Sequence, residues 1–197
     1  MRAVTLVSAA PPVRRLVPAL VAALALCLLA TGRPADGAPQ AWSVYLAPTG
    51  ACRAADDASA PADVQARAVA CLVNWARAHD GRSRLAPRPA LRKAAQSKGL
   101  RVASCGDFSH TPCGSPITAA VNASGYRYGW FGENLFAGLY GRVSARQVVT
   151  AWLQSPTHRA NMLQPNFRHV GVAPVRAPGL LDGTDAVVWT AAFASPR

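Results

Sequence analysis

Three side chains that lie far apart in the sequence could carry chemistry: His110, Glu133 and His158. Two imidazoles and a carboxylate are ligand types that bind zinc, and a carboxylate can also act as a general base. Their spacing is not that of a local His-x-x-x-His metal motif, so only the folded chain can bring them together. The three residues therefore predict a cleft assembled from separate segments.

Each candidate also has a purely structural explanation. Glu133 is the only glutamate of the chain and lies between aromatic and apolar residues, where a carboxylate can simply accept hydrogen bonds from a turn. His110 lies between Cys105 and Cys113, and a disulfide between them would stabilise that loop by about 2.5 kcal/mol. Such a disulfide could fix the histidine in place or serve stability alone.

His158 is the third residue of a short helix predicted to start after Ser155, with Pro156 in the first helical position. Unpaired amides and the positive end of the helix dipole disfavour an imidazolium there, so His158 is expected to be neutral and able to bind a metal ion. A nucleophilic Ser155–His158 pair is the alternative, but Ser155 already suits the N-cap and no glycine elbow surrounds it. His79 and His169 have no supporting context and are interpreted as surface or packing residues.

Residues 1–38 have the three-part pattern of a secretory signal peptide. Basic residues precede the apolar run Leu16–Ala30, and small residues follow at Ala35 and Gly37. The apolar run is shorter than the ~20 residues that a membrane-spanning helix needs, so no membrane span is expected in the mature chain. Cleavage after Gly37 is predicted, with Gly32 as the other site, and the mature protein is expected to be extracellular or associated with the cell wall.

Four cysteines follow the predicted signal peptide, an even number that indicates two disulfides in an oxidising compartment. Three connectivities are open to Cys52, Cys71, Cys105 and Cys113, and free buried thiols are the alternative. Because each pair is close in sequence, we predict Cys52–Cys71 and Cys105–Cys113. Cys27 follows a bulky leucine inside the apolar run, which argues against lipid attachment there.

The formal net charge of the chain is +12, so the protein is strongly basic. A basic exported domain is attracted to anionic wall polymers and lipid headgroups. The arginines are scattered along the chain and accompany no nucleic-acid motif, so nucleic acid is not an expected partner.

The pattern of apolar residues, caps and turn residues predicts helices first and a small sheet afterwards, an α+β order. Residues 39–60 are predicted to be an irregular lead-in held by Cys52 alone, and the aromatic residues Tyr126, Tyr128, Trp130 and Phe131 are expected in the core. Ser144 and Gln147 form a capping box before an amphipathic helix, and Gly99 is expected to end an earlier one. Helices are predicted at 61–80, 89–98, 115–124, 144–154 and 155–163, and strands at 134–139, 169–175 and 186–193.

Four motifs in register resemble the bacterial branch of the CAP superfamily, also called SCP-like extracellular proteins. They are Phe108-Ser109-His110, the stretch Gly132–Leu135, the stretch Trp152–Leu163 and the stretch Pro165–Val172. The resemblance spans about residues 66–193 and implies a domain at 61–197. It also implies an α-β-α sandwich with a small, mainly antiparallel central sheet.

The family's cleft has two histidines and two acidic residues, and some members bind divalent metal there. The resemblance places the histidines at His110 and His158, the first glutamate at Glu133 and the second at Ser155, so one carboxylate is replaced by a hydroxyl. It implies a divalent metal, zinc before others, bound by His110 and His158 with Glu133. An acid/base mechanism would have to use Glu133 alone.

Three functions follow from this resemblance. The first is a non-enzymatic exported module that binds a lipid, cell-wall or protein partner and holds a divalent ion in its cleft. The alternative is a metal-assisted hydrolase of peptide or cell-wall substrate, in which Glu133 is the base. The third is a structural surface protein whose cleft no longer binds anything. Fold alone does not decide among them.

Overall fold

In a computed structural model, the described part of the chain is residues 41–197; the predicted signal peptide at 1–38 lies outside it. Within this part the helices are α1 Ala62–His79, α2 Pro89–Cys105, α3 Ala119–Ala123, α4 Ala145–Gln154 and α5 Pro156–Leu163. The strands are β1 Ala86–Pro87, β2 Tyr128–Leu139, β3 His169–Leu181 and β4 Thr184–Pro196. Short 3-10 turns lie at Trp42–Tyr45 and Pro112–Gly114.

The four strands form one sheet in the order β1-β3-β4-β2. Strand β4 pairs antiparallel with both β2 and β3, and only the two-residue β1 is parallel to its neighbour. Asp182 and Gly183, both at positive φ, turn β3 into β4. Pro178 and Gly179, turn-type residues between the predicted strands 169–175 and 186–193, instead lie in a register shift within the hairpin. Both strands therefore run further than the sequence predicted.

Strand β4 is buried over most of its length because helices cover both faces of the sheet. Its odd-numbered residues, including Trp189 and Phe193, join one core with α1, α4 and α5. Its even-numbered residues join cores with α2 and α3 on the other face. The architecture is thus the predicted α-β-α sandwich around a small, mainly antiparallel sheet.

A buried arginine ties α1 to the segment that follows α5. The Arg77 side chain is fully buried and donates to the carbonyl oxygens of Ser83, Met162, Gln164 and Phe167. Burial lowers the pKa of Arg77 to about 10, and the nearby positive charges of other arginines act in the same direction. Four carbonyl acceptors satisfy the buried guanidinium and fix the carboxyl end of α5 against α1.

Helix α2 does not end at Gly99, as the sequence predicted, but continues to Cys105 and ends at Gly106 in the left-handed conformation. A Cβ on Gly99 would lie 2.7 Å from a methyl of Val175. The glycine is therefore required for close packing of α2 on β3 and not as a helix end. Helix α3 also differs, beginning at Ala119 after a turn closed by the Ala119 amide and the Pro116 carbonyl.

The lead-in segment is held by more than its cysteine. Tyr45 and Ala47 are buried in the main core, and Arg146 of α4 donates to the carbonyl oxygen of Ala47 and to the Asp56 carboxylate. The prediction that Cys52 alone anchors this segment was wrong, because its apolar residues were too few to show periodicity.

Both predicted disulfides are present, Cys52–Cys71 and Cys105–Cys113, with Cα–Cα distances of 5.9 Å and 5.7 Å.

Trp130 is 55% exposed, so the prediction that it belongs to the core was wrong. Its neighbour Phe131 packs with Tyr126 and Tyr128 against the α2 and α3 side of the sheet. Because successive strand residues point to opposite faces, Trp130 cannot share that side.

In residues 41–197 we find no helix with the length and apolarity to span a membrane.

We predict that Gly171→Ala strongly destabilises the fold. A Cβ at this position would lie 2.1 Å and 2.2 Å from backbone atoms of Leu91 and Arg92, which cannot move without displacing α2. The expected loss in free energy of unfolding, measured by urea denaturation, is about 3 kcal/mol. Gly141→Ala is the control: its Cβ meets open space, and only its positive φ opposes alanine, at about 1 kcal/mol. Equal losses for the two variants would contradict the proposed packing.

Candidate functional site

The candidate cleft is built around two adjacent residues of the edge strand β2. Glu133 and Asn134 are both buried, and since neighbouring strand residues face opposite sides, their side chains enter different layers of the sandwich. Glu133 points to the α2 side and Asn134 to the α5 side. Each one fixes a segment that carries a cleft histidine.

On the α2 side, Glu133 binds two partners. Its Oε1 atom lies 2.8 Å from Nδ1 of His110 and 3.5 Å from Nζ of Lys98. The Lys98 ammonium also donates to the His110 carbonyl oxygen at 2.6 Å. The Lys98 and Glu133 side chains are each 2% exposed, whereas the His110 ring is 44% exposed. A buried ion pair therefore holds the ring of a half-exposed histidine.

Sequence reasoning missed Lys98, although a signal for it existed. Helix α2 buries Leu91, Ala94, Ala95 and Val102, and Lys98 lies on the same helical stripe. A lysine inside an apolar stripe requires a buried partner for its charge. The only glutamate of the chain is that partner.

On the α5 side, a chain of amides fixes the second histidine. The Asn134 Nδ2 atom donates to the His158 carbonyl oxygen at 3.0 Å, and Asn161 Nδ2 donates to Asn134 Oδ1 at 3.0 Å. Asn161 also lies 3.2 Å from the Glu133 carbonyl oxygen. These bonds attach the first turns of α5 to the same strand that holds His110.

The free edge of β2 is closed at the cleft by side chains. Asn161 donates to the Glu133 carbonyl oxygen, and the Trp152 Nε1 atom donates to the Leu135 carbonyl oxygen at 3.0 Å. These carbonyls point away from β4 because alternate residues of an antiparallel strand bond to alternate sides. Trp152 and Asn161 satisfy edge acceptors that would otherwise be buried without partners.

The two cleft histidines are electrostatically coupled. Burial lowers the pKa of His158, and the positive charge of nearby His110 lowers it further. Position also favours the neutral ring, since His158 is the third residue of α5. A neutral imidazole keeps a lone pair for a metal ion or a proton.

Ser155 occupies the N-cap position of α5, but its side chain makes no capping hydrogen bond. Its Oγ atom lies 3.2 Å from Thr157 Oγ1 instead. Ser155 therefore occupies the predicted N-cap position, but its hydroxyl does not form the hydrogen bond expected of a cap. The alternative, a nucleophilic pair of Ser155 with His158, has no hydrogen bond to support it among the bonds of residues 41–197.

The structure thus brings His110 and Glu133 into direct contact, and Asn134 links His158 to the same strand. The remaining histidines lie elsewhere and pack against tyrosines: His79 meets Tyr45 edge-on, and His169 bonds to the Tyr126 hydroxyl. No group of three or more His, Cys, Asp or Glu side chains in residues 41–197 has the geometry to hold a metal ion. Any ion in the cleft would depend on the two imidazoles and on ligands from outside the protein.

Residues 71–193 match the family model described as "Cysteine-rich secretory protein family", abbreviated CAP. The chain belongs to the CAP family. The matched range contains α2 to α5, strands β1 to β3, most of β4, the Cys105–Cys113 disulfide and every residue of the cleft. The resemblance predicted from the four sequence motifs is confirmed.

Among known relatives, the uncharacterized protein YkwD of Bacillus subtilis is 33% identical over 139 residues, which cover 68% of this chain and 49% of the relative. The chain thus spans about half the length of that protein. An extracellular SCP-domain protein from Bacillus anthracis has the same fold, with a TM-score of 0.58 and 19% identity, covering 69% of this chain and 41% of the other. An outer surface protein of Borrelia burgdorferi has a TM-score of 0.54 and 19% identity, with 66% and 90% covered.

The lowered pKa of His158 predicts a loss of stability in acid. As the pH falls, the unfolded state takes up a proton on His158 near pH 6.5, before the folded state does. The stability that the neutral ring contributes is therefore complete above pH ~6.5 and is lost as the pH falls below that value. His158→Gln should therefore lose less stability than the wild type between pH 7.5 and pH 5, as measured by urea denaturation. His169, whose pKa is also lowered by burial, supplies part of the remaining dependence.

Thr157→Ala, one residue away on the same helix, is the matched control for this measurement. It should keep the pH dependence of the wild type. A His158→Gln protein with an unchanged dependence would show that the imidazole is not in the environment described.

Proposed function

We propose that this CAP domain is a non-enzymatic exported binding module whose cleft holds one divalent ion, zinc before others, through His110 and His158. The observation that carries the proposal is the bond from His110 Nδ1 to Glu133, which leaves the Nε2 atom of a half-exposed ring for an outside ligand. Histidines that bind metal commonly donate their other ring nitrogen to a carboxylate in this way. Imidazole is a zinc ligand type, and with two protein ligands the other positions around the ion would be filled by water or by the partner.

In this arrangement Glu133 acts through His110 and not as a ligand. Its carboxylate already accepts from the His110 ring and pairs with the Lys98 ammonium, and all but 2% of its side chain is buried. A bound divalent ion would supply charge and open coordination positions to a partner. The residues of the chain orient the two imidazoles, keep His158 neutral and exclude water from the ion pair.

The same ion pair favours binding over hydrolysis. A general base must reach the proton that it abstracts, and its charge must not be neutralised by a buried cation. Glu133 is directed into the protein, towards Lys98, and Ser155 stands where a second acidic residue would be needed. The metal-assisted hydrolase is therefore the less favoured function.

Export and the class of partner complete the proposal. Export is supported by the signal-peptide pattern, by two disulfides, and by the extracellular or outer-surface description of the B. anthracis and B. burgdorferi proteins that share this fold. The chain remains strongly basic without the predicted signal peptide, which holds four of its 21 basic residues and one of its nine acidic ones. This charge favours an anionic wall polymer, an anionic lipid surface or an acidic protein as partner.

Zinc should raise the thermal stability of the purified protein. An ion that binds only the folded state adds about 2.7 kcal/mol at a hundred times its dissociation constant, and the effect should weaken below pH ~6.5 as the imidazoles are protonated. Differential scanning calorimetry with and without zinc measures this gain. The double variant His110→Ala, His158→Ala should lose it.

The histidines outside the cleft provide the control. His79→Ala and His169→Ala should keep the full zinc effect, because neither ring belongs to the cleft. If the double cleft variant is stabilised as much as the wild type, the ion binds elsewhere and the proposal is wrong.

The ion pair of Lys98 with Glu133 leads to a further prediction about zinc affinity. Lys98→Met removes a positive charge 3.5 Å from Glu133 and leaves the carboxylate free to attract a cation, so zinc should bind at least tenfold more tightly, equivalent to about 1.4 kcal/mol. Isothermal titration calorimetry gives the affinity. A purely structural role for Lys98 would have the opposite effect, since a loosened His110 would weaken binding.

Two variants separate these possibilities. Lys98→Arg keeps the charge and should keep the affinity of the wild type, whereas adding Glu133→Gln to Lys98→Met should cancel the gain. Weaker zinc binding by a folded Lys98→Met protein would refute the role assigned to the ion pair and leave the two-histidine site in place.

A further inference from the structure

A groove at the other edge of the sheet is separate from the cleft. It has a volume of about 370 Å³, within the range of ligand sites, and lies between α1, the start of α2 and strand β3. Apolar residues form its floor, and charged residues stand at its rim. The floor is lined by Ala66, Ala70, Pro87, Pro89, Val170 and Val172.

The groove contains an unpaired piece of sheet edge. Strand β1 pairs with β3 only at His169 and Val170, and the last bond of this ladder runs from the Arg88 amide to the Val170 carbonyl at 2.9 Å. The chain then turns into α2, where the Arg88 carbonyl accepts from the Arg92 amide.

Val172 is the next residue of β3 whose amide and carbonyl point outwards, because alternate residues of β3 bond to β4. No strand of the described chain reaches Val172, so its amide and carbonyl have no ladder partner on this side. Val172 lies in the floor of the groove with 4% of its surface exposed. An unsatisfied backbone donor and acceptor side by side form the template for an added strand.

The rim of the groove has an excess of positive charge. Arg67 is paired with Asp63 at 2.7 Å, but Arg88 and Arg92 are exposed and form no salt bridge within residues 41–197. Two unpaired guanidinium groups beside an apolar floor favour a ligand that carries carboxylates.

We propose that this groove binds an extended acidic peptide segment of a partner protein, which adds as a short strand to the edge of β3. The Val172 amide and carbonyl bond to the peptide backbone, the apolar floor receives alternate side chains, and Arg88 and Arg92 bind its carboxylates. A fatty acid would complement the arginines and the floor but could not serve as both donor and acceptor for Val172. The proposal does not depend on the metal site, because β4 separates the two edges of the sheet.

The probe is a fluorescein-labelled peptide that alternates aspartate and valine over six residues, with an asparagine–valine peptide as the neutral control. Fluorescence anisotropy should show that the acidic peptide binds at least tenfold more tightly, and that the difference shrinks as salt rises. The double variant Arg88→Gln, Arg92→Gln should reduce the affinity at least tenfold. Arg101→Gln, Arg142→Gln loses the same charge on exposed arginines outside the groove and should bind nearly as well as the wild type.

Amide hydrogen exchange distinguishes strand addition from simple charge attraction. Saturation with the acidic peptide should slow exchange of the Val172 amide at least tenfold, since that N–H gains an acceptor. Equal binding of the two peptides, equal losses for the two arginine pairs, or an unprotected Val172 would each overturn the proposal. Dodecanoate that binds in an Arg88-dependent way where the peptide does not would also overturn it and would identify the groove as a lipid site.

Discussion

The candidate cleft depends on one geometric constraint: neighbouring residues of a strand point to opposite faces of the sheet. Glu133 and Asn134 are adjacent on β2, so one side chain reaches the helix layer of α2 and the other reaches that of α5. The carboxylate fixes the ring of His110, and the amide fixes the backbone of His158. A single dipeptide thus holds two segments that are nearly fifty residues apart in sequence. A shift of one residue in the β2 register would exchange the two side chains and dismantle both halves of the site.

The buried ion pair gives this arrangement its rigidity and balances its charge. Removing an ammonium and a carboxylate from water is costly, and their attraction offsets the cost only when hydrogen bonds satisfy the remaining valences. Here the Lys98 ammonium also donates to the His110 carbonyl oxygen, and the Glu133 carboxylate is also hydrogen-bonded to the His110 ring. Both ions therefore bind the same residue. The disulfide Cys105–Cys113 closes the loop that carries this histidine. The interior of the cleft is therefore close to electrically neutral, while the imidazoles of His110 and His158 remain partly exposed.

Local sequence signals predicted much of this structure, and long-range packing decided the rest. The capping box of Ser144 is formed, because both of its partners lie within one turn of helix. Gly99 was mistaken for a helix end because a glycine has two uses, a left-handed backbone and a close approach, and only the position of Val175 selects the second. Trp130 was assigned to the core because composition does not show which face of a strand is covered. The pairing of Lys98 with Glu133 joins residues 35 positions apart and needs the tertiary fold to become visible.

The two edges of the sheet meet the same physical problem in different ways. An edge strand exposes backbone donors and acceptors that invite pairing with another chain. At the β2 edge, side chains from α4 and α5 bond to the outward carbonyls of Glu133 and Leu135, which blocks strand addition beside the cleft histidines. At the β3 edge, β1 covers only two residues, and Pro174 lies two residues beyond Val172, where it removes the next outward amide. The edge left open therefore offers a single outward amide, that of Val172, and this residue lines the groove. One open residue is too short a template for edge-to-edge aggregation. Because β4 lies between β2 and β3, an occupant of the proposed β3 groove would not compete with one in the cleft.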